Sequence, residues 1–425
     1  MKKFLLMLGA VALFTACSDD GGSGSGNINY EEGYKYLTNL NVSDAKMIYQ
    51  KSSSTRAIGD DSYYKLDLSG NEVKLSIKGE DGQDHNIGIS KVVKLSDKII
   101  LVNPVAQDIV DLFYKPGPDE LGISVDYQST EYLSIVDIQT EKLYRWPKDI
   151  SLDLYSSSLK TSLDNQGNIY FASGGNMFSQ IYKLNLSDFT MQAMLPNGQE
   201  FTDFNVTGDG FIMYWNNYND SKNYKVQCPG GRIYPITDVP FIIKDELYSY
   251  KDKKIVKWKT VGNNELKEIE ICKFNNLPDY SSADDKYEIW RTLYNYTKRT
   301  VVLNDNWGAW YEFNGEVYNK VEIPRDFYWN ELEENCFNTS KAWYKQDNTH
   351  FSKLSMDNYQ KTDFQILDYE IQNVFASPES PNITFSGIRY MDGANIVGTI
   401  TETDEVVIDN VAENGNKIIN LISLN

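Results

Sequence analysis

One six-residue pattern returns along this chain and limits what it can become. It reads YYKLDL at Tyr63 to Leu68, LSIVDI at Leu133 to Ile138, IYKLNL at Ile181 to Leu186 and NYKVQC at Asn223 to Cys228. It returns as IVKWKT at Ile255 to Thr260, WYEF at Trp310 to Phe313 and FSKLSM at Phe351 to Met356, with a weaker copy at Ile396 to Ile400. The third position is mostly polar: Lys65, Ile135, Lys183, Lys225, Lys257, Glu312 and Lys353. The next is always apolar: Leu66, Val136, Leu184, Val226, Trp258, Phe313 and Leu354. Alternation with a period of two is the mark of a strand, with one face packed and the other tending to be wet.

The stretch from Thr161 to Leu195 shows what surrounds one copy. Asn165-Gln166-Gly167-Asn168 is a turn, because Gly and Asn tolerate positive φ. Ile169 to Ala172 is a short apolar strand, and Gly174-Gly175-Asn176 ends it. IYKLNL follows, Ser187-Asp188 turns the chain, and Phe189 to Leu195 makes a further strand. The segment from Ser157 to Leu163 supplies the first of four. Four short strands joined by turns form the blade of a β-propeller. Most copies recur about 30 to 55 residues apart, around the usual blade length. The first interval is longer and holds a Pro-rich loop, Lys115 to Asp119. The expectation is an all-β chain, a β-propeller of about eight four-stranded blades, or seven if the first or last copy is misjudged.

Tyr63 to Leu68 and Glu72 to Ile77 read as a hairpin about Ser69-Gly70-Asn71. Glu31 to Leu40 carries a weak helical pattern through Tyr34, Leu37 and Leu40, enough for a turn or two. Ala45 to Gln50 reads as a strand and Lys51 to Asp60 as a polar loop. The tail, Lys417 to Leu424, has no turn-linked partner after it. It is placed to close the ring beside Ala45 to Gln50, which removes exposed sheet edges.

The N-terminus gives an address. Lys2-Lys3 is followed by an apolar run, Phe4 to Phe14, too short to span a bilayer, and then by Thr15-Ala16-Cys17. This resembles the lipobox of bacterial lipoproteins, with Leu13 and Ala16 at fitting places. The resemblance implies cleavage before Cys17 and lipid attachment to its sulfur. Ser18-Asp19-Asp20 resembles the acidic export tag of surface lipoproteins in some Gram-negative outer membranes. Gly21 to Gly26 is a flexible tether reaching roughly 20 Å. The domain plan is a signal peptide over 1–16, a lipidated cysteine and linker over 17–30, and a propeller over 31–425. The overall pattern resembles β-propeller lipoproteins of Gram-negative surfaces, lipid-anchored in the outer membrane and facing the exterior.

The chain carries 41 basic and 60 acidic residues, a formal charge of -19, and loses Lys2 and Lys3 with the leader. A body this acidic is repelled by phosphate backbones, which argues against a nucleic-acid partner. A monomer is expected. With Cys17 assigned to lipid, Cys228, Cys272 and Cys336 remain, so at most one internal disulfide can form. They read as buried free thiols in strands or nearby loops.

Candidate chemistry is sparse. His85 and His350 are the two histidines, and both read as loop residues. Without HxxxH, HExxH or CxxC spacing no metal site is expected, nor any cofactor. No GxSxG elbow supplies a nucleophile, so no catalytic residue is assigned. Glu331, Glu333 and Glu334 cluster, as do Asp284 and Asp285, and read as solvated acidic faces. Carboxylates are numerous enough that a glycosidase pair in the funnel stays open. Ser162-Leu163-Asp164 with Gly167 and Tyr170 resembles the Asp-box turn of sialidase propellers, with an extra residue before the glycine and a single occurrence. It reads as a structural turn. The aromatic loops around Trp215, Trp307 and Trp329 are the functional lead. Each Trp stands near Asn or Asp, a pairing that suits a sugar ring and its hydroxyls. The same residues serve equally as anchors between blades. The leading expectation is a surface binding module for a glycan or a protein. A carbohydrate-active enzyme and a scaffold subunit of an outer-membrane complex are the alternatives.

Overall fold

The computed structural model describes residues 39–53, 62–78, 82–86, 92–96, 98–102, 134–145, 158–174, 177–216, 223–236, 240–251, 254–262, 265–273, 289–305, 308–327, 329, 335–412 and 416–424. These residues form eight antiparallel sheets and no helix. The protein is an eight-bladed β-propeller.

Six blades are contiguous four-stranded meanders. Blade two is Ser158–Leu163, Ile169–Gly174, Tyr182–Asn185 and Thr190–Ala193. Blades three to seven begin with Asp203–Val206, Pro240–Ile243, Ile289–Asn295, Cys336–Asn338 and Tyr369–Ala376. Blade one is Val92–Lys94, Ile99–Val102, Ser134–Asp137 and Lys142–Arg145. Its outer edge is lengthened by Asn39–Leu40, Ser76–Lys78 and Asp84–Asn86, which makes seven strands in that sheet. Blade eight is composite. The C-terminal strand Asn416–Ser423 pairs antiparallel with Ala45–Ser53, followed outward by Ser62–Asp67 and Glu72–Lys74. The expected closure of the ring by the tail is therefore present. An even number of strands per blade returns the chain to the rim it started from. Every inner strand thus runs in the same sense, and connections between blades share one rim with those joining second and third strands.

The core lies between blades. Side chains alternate on the second strand of each sheet, and both faces are covered because each blade is packed on two neighbours. Ile169 and Phe171 pack toward blade one, while Tyr170 and Ala172 pack toward blade three. In blade five, Val301 and Leu303 face blade four and Val302 faces blade six. In blade eight, Met47 and Tyr49 join blade seven while Ile48 joins blade one. Eight apolar clusters fill the eight interfaces around the ring.

The recurring sequence pattern is the third strand of each blade, but its polar face is not wet. Lys183, Lys225, Lys257 and Lys353 each stand opposite a tyrosine of the second strand: Tyr170, Tyr214, Tyr248 and Tyr344. Each ammonium lies 5.4 to 5.9 Å from its ring centroid. Each also meets an oxygen: Asp164 at 3.6 Å, Gln199 at 2.9 Å, Glu246, and Asp404 of blade seven at 2.7 Å. A lysine stem lies over apolar surface while its head keeps polar partners. Lys65 is also buried, but it stands opposite Ile48 rather than a tyrosine, with Asp44 as its partner. Glu312 reverses the sign and takes Lys298 and Thr300.

Other local expectations need correction. Leu40 is in a strand rather than a helical turn, and residues 31–38 lie outside the described residues. The strand expected over Glu72 to Ile77 breaks at Leu75, whose buried side chain marks the crossing from blade eight to the edge of blade one. His85 and His350 lie in strands, Asp84–Asn86 and His350–Ser355. Cys228, Cys272 and Cys336 are free thiols, in blades three, four and six; Cys272 is only partly buried. Burial raises the pKa of the Cys228 and Cys272 thiols. The loop at Lys115 to Asp119 lies outside the described residues.

Candidate functional site in the central channel

The inner strands of blades two to seven wall a cavity of about 730 Å³. An inner strand has a ladder partner on one side only, so its other edge faces the axis. Apolar content falls there and polar residues appear: Lys160 and Thr161 in blade two, Asp203 in blade three, Arg291 and Thr292 in blade five, Asn338 in blade six. This contrasts with the second strands, where TVVLND of blade five is buried throughout.

Asp203 opens the inner strand of blade three and is 7% exposed. Its Oδ1 accepts from the Phe204 backbone N–H at 2.8 Å, and Lys160 Nζ lies 3.5 Å from Oδ2. Burial pushes its carboxyl pKa up, and the Lys160 charge only partly offsets that. Trp215 stands opposite Asp203 in the ladder, with its ring tilted on Tyr224 at 5.9 Å. Arg291 donates from Nη1 to the Trp329 carbonyl at 3.5 Å. Asn338 turns its side-chain Nδ2 into a buried position with no hydrogen-bond partner among the described residues. A buried polar atom left unpaired costs roughly 1–3 kcal/mol.

Two of the three expected aromatic residues line this cavity, Trp215 and Trp329. Trp329 is buried in the cluster between blades five and six with Phe327 and Trp343, and its Nε1 donates to the Phe337 carbonyl at 3.3 Å. It is a packing anchor that also forms part of the wall. Trp215 is half-buried and flanks the cluster between blades three and four. Trp307 lies outside the described residues, as do Glu331, Glu333, Glu334, Asp284, Asp285 and Cys17.

Sequence reading missed Lys160, Asp203, Arg291 and Asn338. Their signal was a polar residue in the short strand preceding each apolar second strand, in SLKTSL, DFNV, IWRTLYN and CFN. It becomes legible only when the phase of each blade is known. The carboxylates of the described wall are Asp203 and Asp245. Asp203 begins one inner strand and Asp245 follows the end of the next, so they stand at opposite ends of the channel. Among the described residues, no group of three His, Cys, Asp or Glu is arranged to hold a metal ion.

The turn at Asp164 is structural. Its Oδ1 accepts from the Gln166 and Asn168 backbones, both at 2.9 Å, and its Oδ2 from Asn168 Nδ2 at 2.8 Å. Burial works to raise its pKa, but these bonds and Lys183 outweigh it and hold the carboxyl below its usual range. The same Asp-x-x-Gly-Asn geometry recurs at Asp67 to Asn71, so the turn does not occur once. Gly70 and Gly167 supply its positive φ, 84° and 79°.

No protein-family model matches this chain, and no curated protein sequence does. Solved structures give distant likenesses. AztD from Citrobacter koseri, in its apo form, is 9% identical with a TM-score of 0.42, over 91% of this chain and 98% of that one. A quinonprotein alcohol dehydrogenase-like protein from Bacteroides thetaiotaomicron is 10% identical with a TM-score of 0.35, over 90% and 79%. The dihydro-heme d1 dehydrogenase NirN is 12% identical with a TM-score of 0.36, over 74% and 84%. No ligand or activity passes from these to this chain.

Proposed function

We propose that this protein is a lipid-anchored binding module of the outer-membrane surface that takes a glycan into its central channel. The observation that carries the binding reading is the channel wall itself, where the half-buried Trp215 stands beside Asp203 and Lys160. Concave sites of a few hundred Å³ with a few convergent polar groups are the usual form of a ligand pocket. An indole beside a carboxylate and an ammonium offers a platform for a sugar ring and groups for its hydroxyls. A protein ligand would need a broad surface, and the wall is a recess. The anchor reading rests on Leu13, Ala16 and Cys17, and the surface reading on Ser18-Asp19-Asp20.

A glycan array with the mature protein tests the binding reading. Capture of a glycan that is lost in Trp215→Ala, at an unchanged melting temperature, supports it. Capture that survives the substitution in full removes Trp215 from the site. Labelling with a palmitate analogue tests the anchor, since Cys17→Ser should abolish the label. Protease treatment of whole cells tests exposure to the exterior, and light scattering tests the monomer.

A further inference from the structure

We infer that the rim of blade seven is a docking surface for a second, different protein, one with an apolar recess edged by lysine or arginine; this stands apart from the channel reading. Twelve large apolar side chains are exposed among the described residues. An even spread would give each of the eight blades one or two. Blade seven and the connection into it hold five: Leu367, Tyr390, Met391, Val407 and Val411. Met391 is 84% exposed, Leu367 69% and Tyr390 56%. Leu367 lies in the connection from blade six, and Tyr390 and Met391 lie in the turn between Ile383–Arg389 and Asn395–Ile400, so the three share one rim. Tyr369 stands opposite Arg389 in the ladder, and the Tyr390 N–H donates to the Asp368 carbonyl at 3.0 Å. That bond carries the pairing one step past the strands and brings Leu367 beside the turn. Val407 and Val411 continue the apolar character onto the outer strand, Val406–Val411, which ends its sheet.

The turn is held in shape before any partner arrives. Arg389 donates to Asp392 from Nε at 3.0 Å and from Nη2 at 2.6 Å. The Ala394 N–H donates to the same carboxylate at 3.1 Å, and the Gly393 N–H to the Arg389 carbonyl at 2.8 Å. A loop ordered in advance loses little freedom on binding. Contiguous exposed apolar groups mark contact sites, and Tyr and Met are enriched where proteins meet. Charge decides the occupant. Of the charged residues in these two segments, Arg389 is engaged by Asp392, while Asp368 and Glu370 are exposed. An anionic lipid surface is repelled by that edge and by a body with 60 acidic against 41 basic residues. A second copy would set the same carboxylates against themselves. A different protein, with cations around an apolar recess, satisfies both the rim's apolar centre and its acidic edge.

The test is photo-cross-linking of the full-length protein in its own cells. The photoreactive p-benzoylphenylalanine replaces Tyr390 or, as the control, Val317, an exposed apolar residue of the opposite rim. Irradiation should give a protein adduct from position 390 and none from 317. Mass spectrometry should find the cross-linked peptide apolar and flanked by Lys or Arg. With the identified pair purified, Met391→Glu and Asp368→Lys should each weaken binding at least tenfold, and added salt should weaken it too. Val317→Glu should leave it unchanged, with melting curves showing all three variants folded. An adduct to a second copy of this chain overturns the inference, as does an adduct to lipid. Equal adducts from both positions, or none from 390, overturn it as well. So does a purified pair whose affinity neither Met391→Glu nor Asp368→Lys changes. None of these outcomes bears on glycan capture by the channel, which Trp215→Ala tests separately.

Discussion

Blade two and blade eight have the same four antiparallel strands and reach them by different routes. In blade two, tight turns such as Asp164 to Asn168 join neighbours, and every ladder is local. In blade eight, the inner ladder joins Asn416–Ser423 to Ala45–Ser53, and Asn420 bonds Gln50 at 2.6 Å across 370 positions. Closing a loop that long rather than a turn of about five residues costs roughly 4 kcal/mol more. The seam carries matching reinforcement. Glu72 accepts from Tyr49 at 2.5 Å, from Asn410 of blade seven at 2.7 Å and from Lys51. Lys46 pairs with Asp409 at 2.5 Å, and Asn373 donates to the Ile418 carbonyl at 3.2 Å. Local blades need turn chemistry and apolar faces; a blade made from both ends of the chain needs side chains that identify the right partner.

The largest effect should come from removing the seam. Truncation after Asn414 deletes Ile418, Leu421, Ile422 and Leu424 from two apolar clusters. At about 2 kcal/mol for each buried side chain, the loss rivals the whole stability of a domain. The truncated protein should show no cooperative melt, and a melt at the wild-type temperature would refute the seam. Next come paired core truncations. Ile422→Ala and Ile169→Ala should each cost about 2–5 kcal/mol in denaturant titrations. If blade two forms early and the seam late, Ile169→Ala slows folding, whereas Ile422→Ala speeds unfolding. Equal kinetic effects would erase the contrast.

Glu72→Ala should follow, at about 3 kcal/mol, because it strands the buried Lys51 ammonium and the Tyr49 hydroxyl. The smallest effects separate a structural carboxylate from one in the channel. The Asp164 pKa is lowered on folding, so its contribution is present at neutral pH and lost as pH falls through its folded value. Asp164→Asn should cost about 2 kcal/mol at neutral pH and progressively less in acid. The Asp203 pKa is raised on folding, so its favourable contribution exists only below the ordinary carboxylate range. Asp203→Asn keeps an acceptor for Phe204 and should be neutral or slightly stabilising near pH 7. Melting curves across pH check both signs.

The fold was legible because its signal repeats. The alternation at Lys183-Leu184, Lys225-Val226 and Lys353-Leu354 marks third strands, and eight copies gave eight blades. The closing tail was legible because Lys417 to Leu424 had strand character and no neighbour to pair with. The channel was not legible, since Lys160, Asp203, Arg291 and Asn338 come from four blades and share no motif. Only ring closure brings them to one axis. The lysines of the third strands misled in a different way. Their charge suggested water, but a tyrosine across the ladder and an oxygen beyond it cover them, which depends on pairing register and not on residue type.

The seam has one more meaning. The Leu424 N–H donates to the Lys46 carbonyl at 3.0 Å, so the last described residues lie against the start of the same blade. The ring is therefore continuous through the composite blade, as it is through the blades made of one stretch of chain. Joining the ends by a short linker and cutting between blades two and three, at Asn197-Gly198, would yield a circular permutant whose composite sheet has moved elsewhere while the axis and its polar lining stay the same.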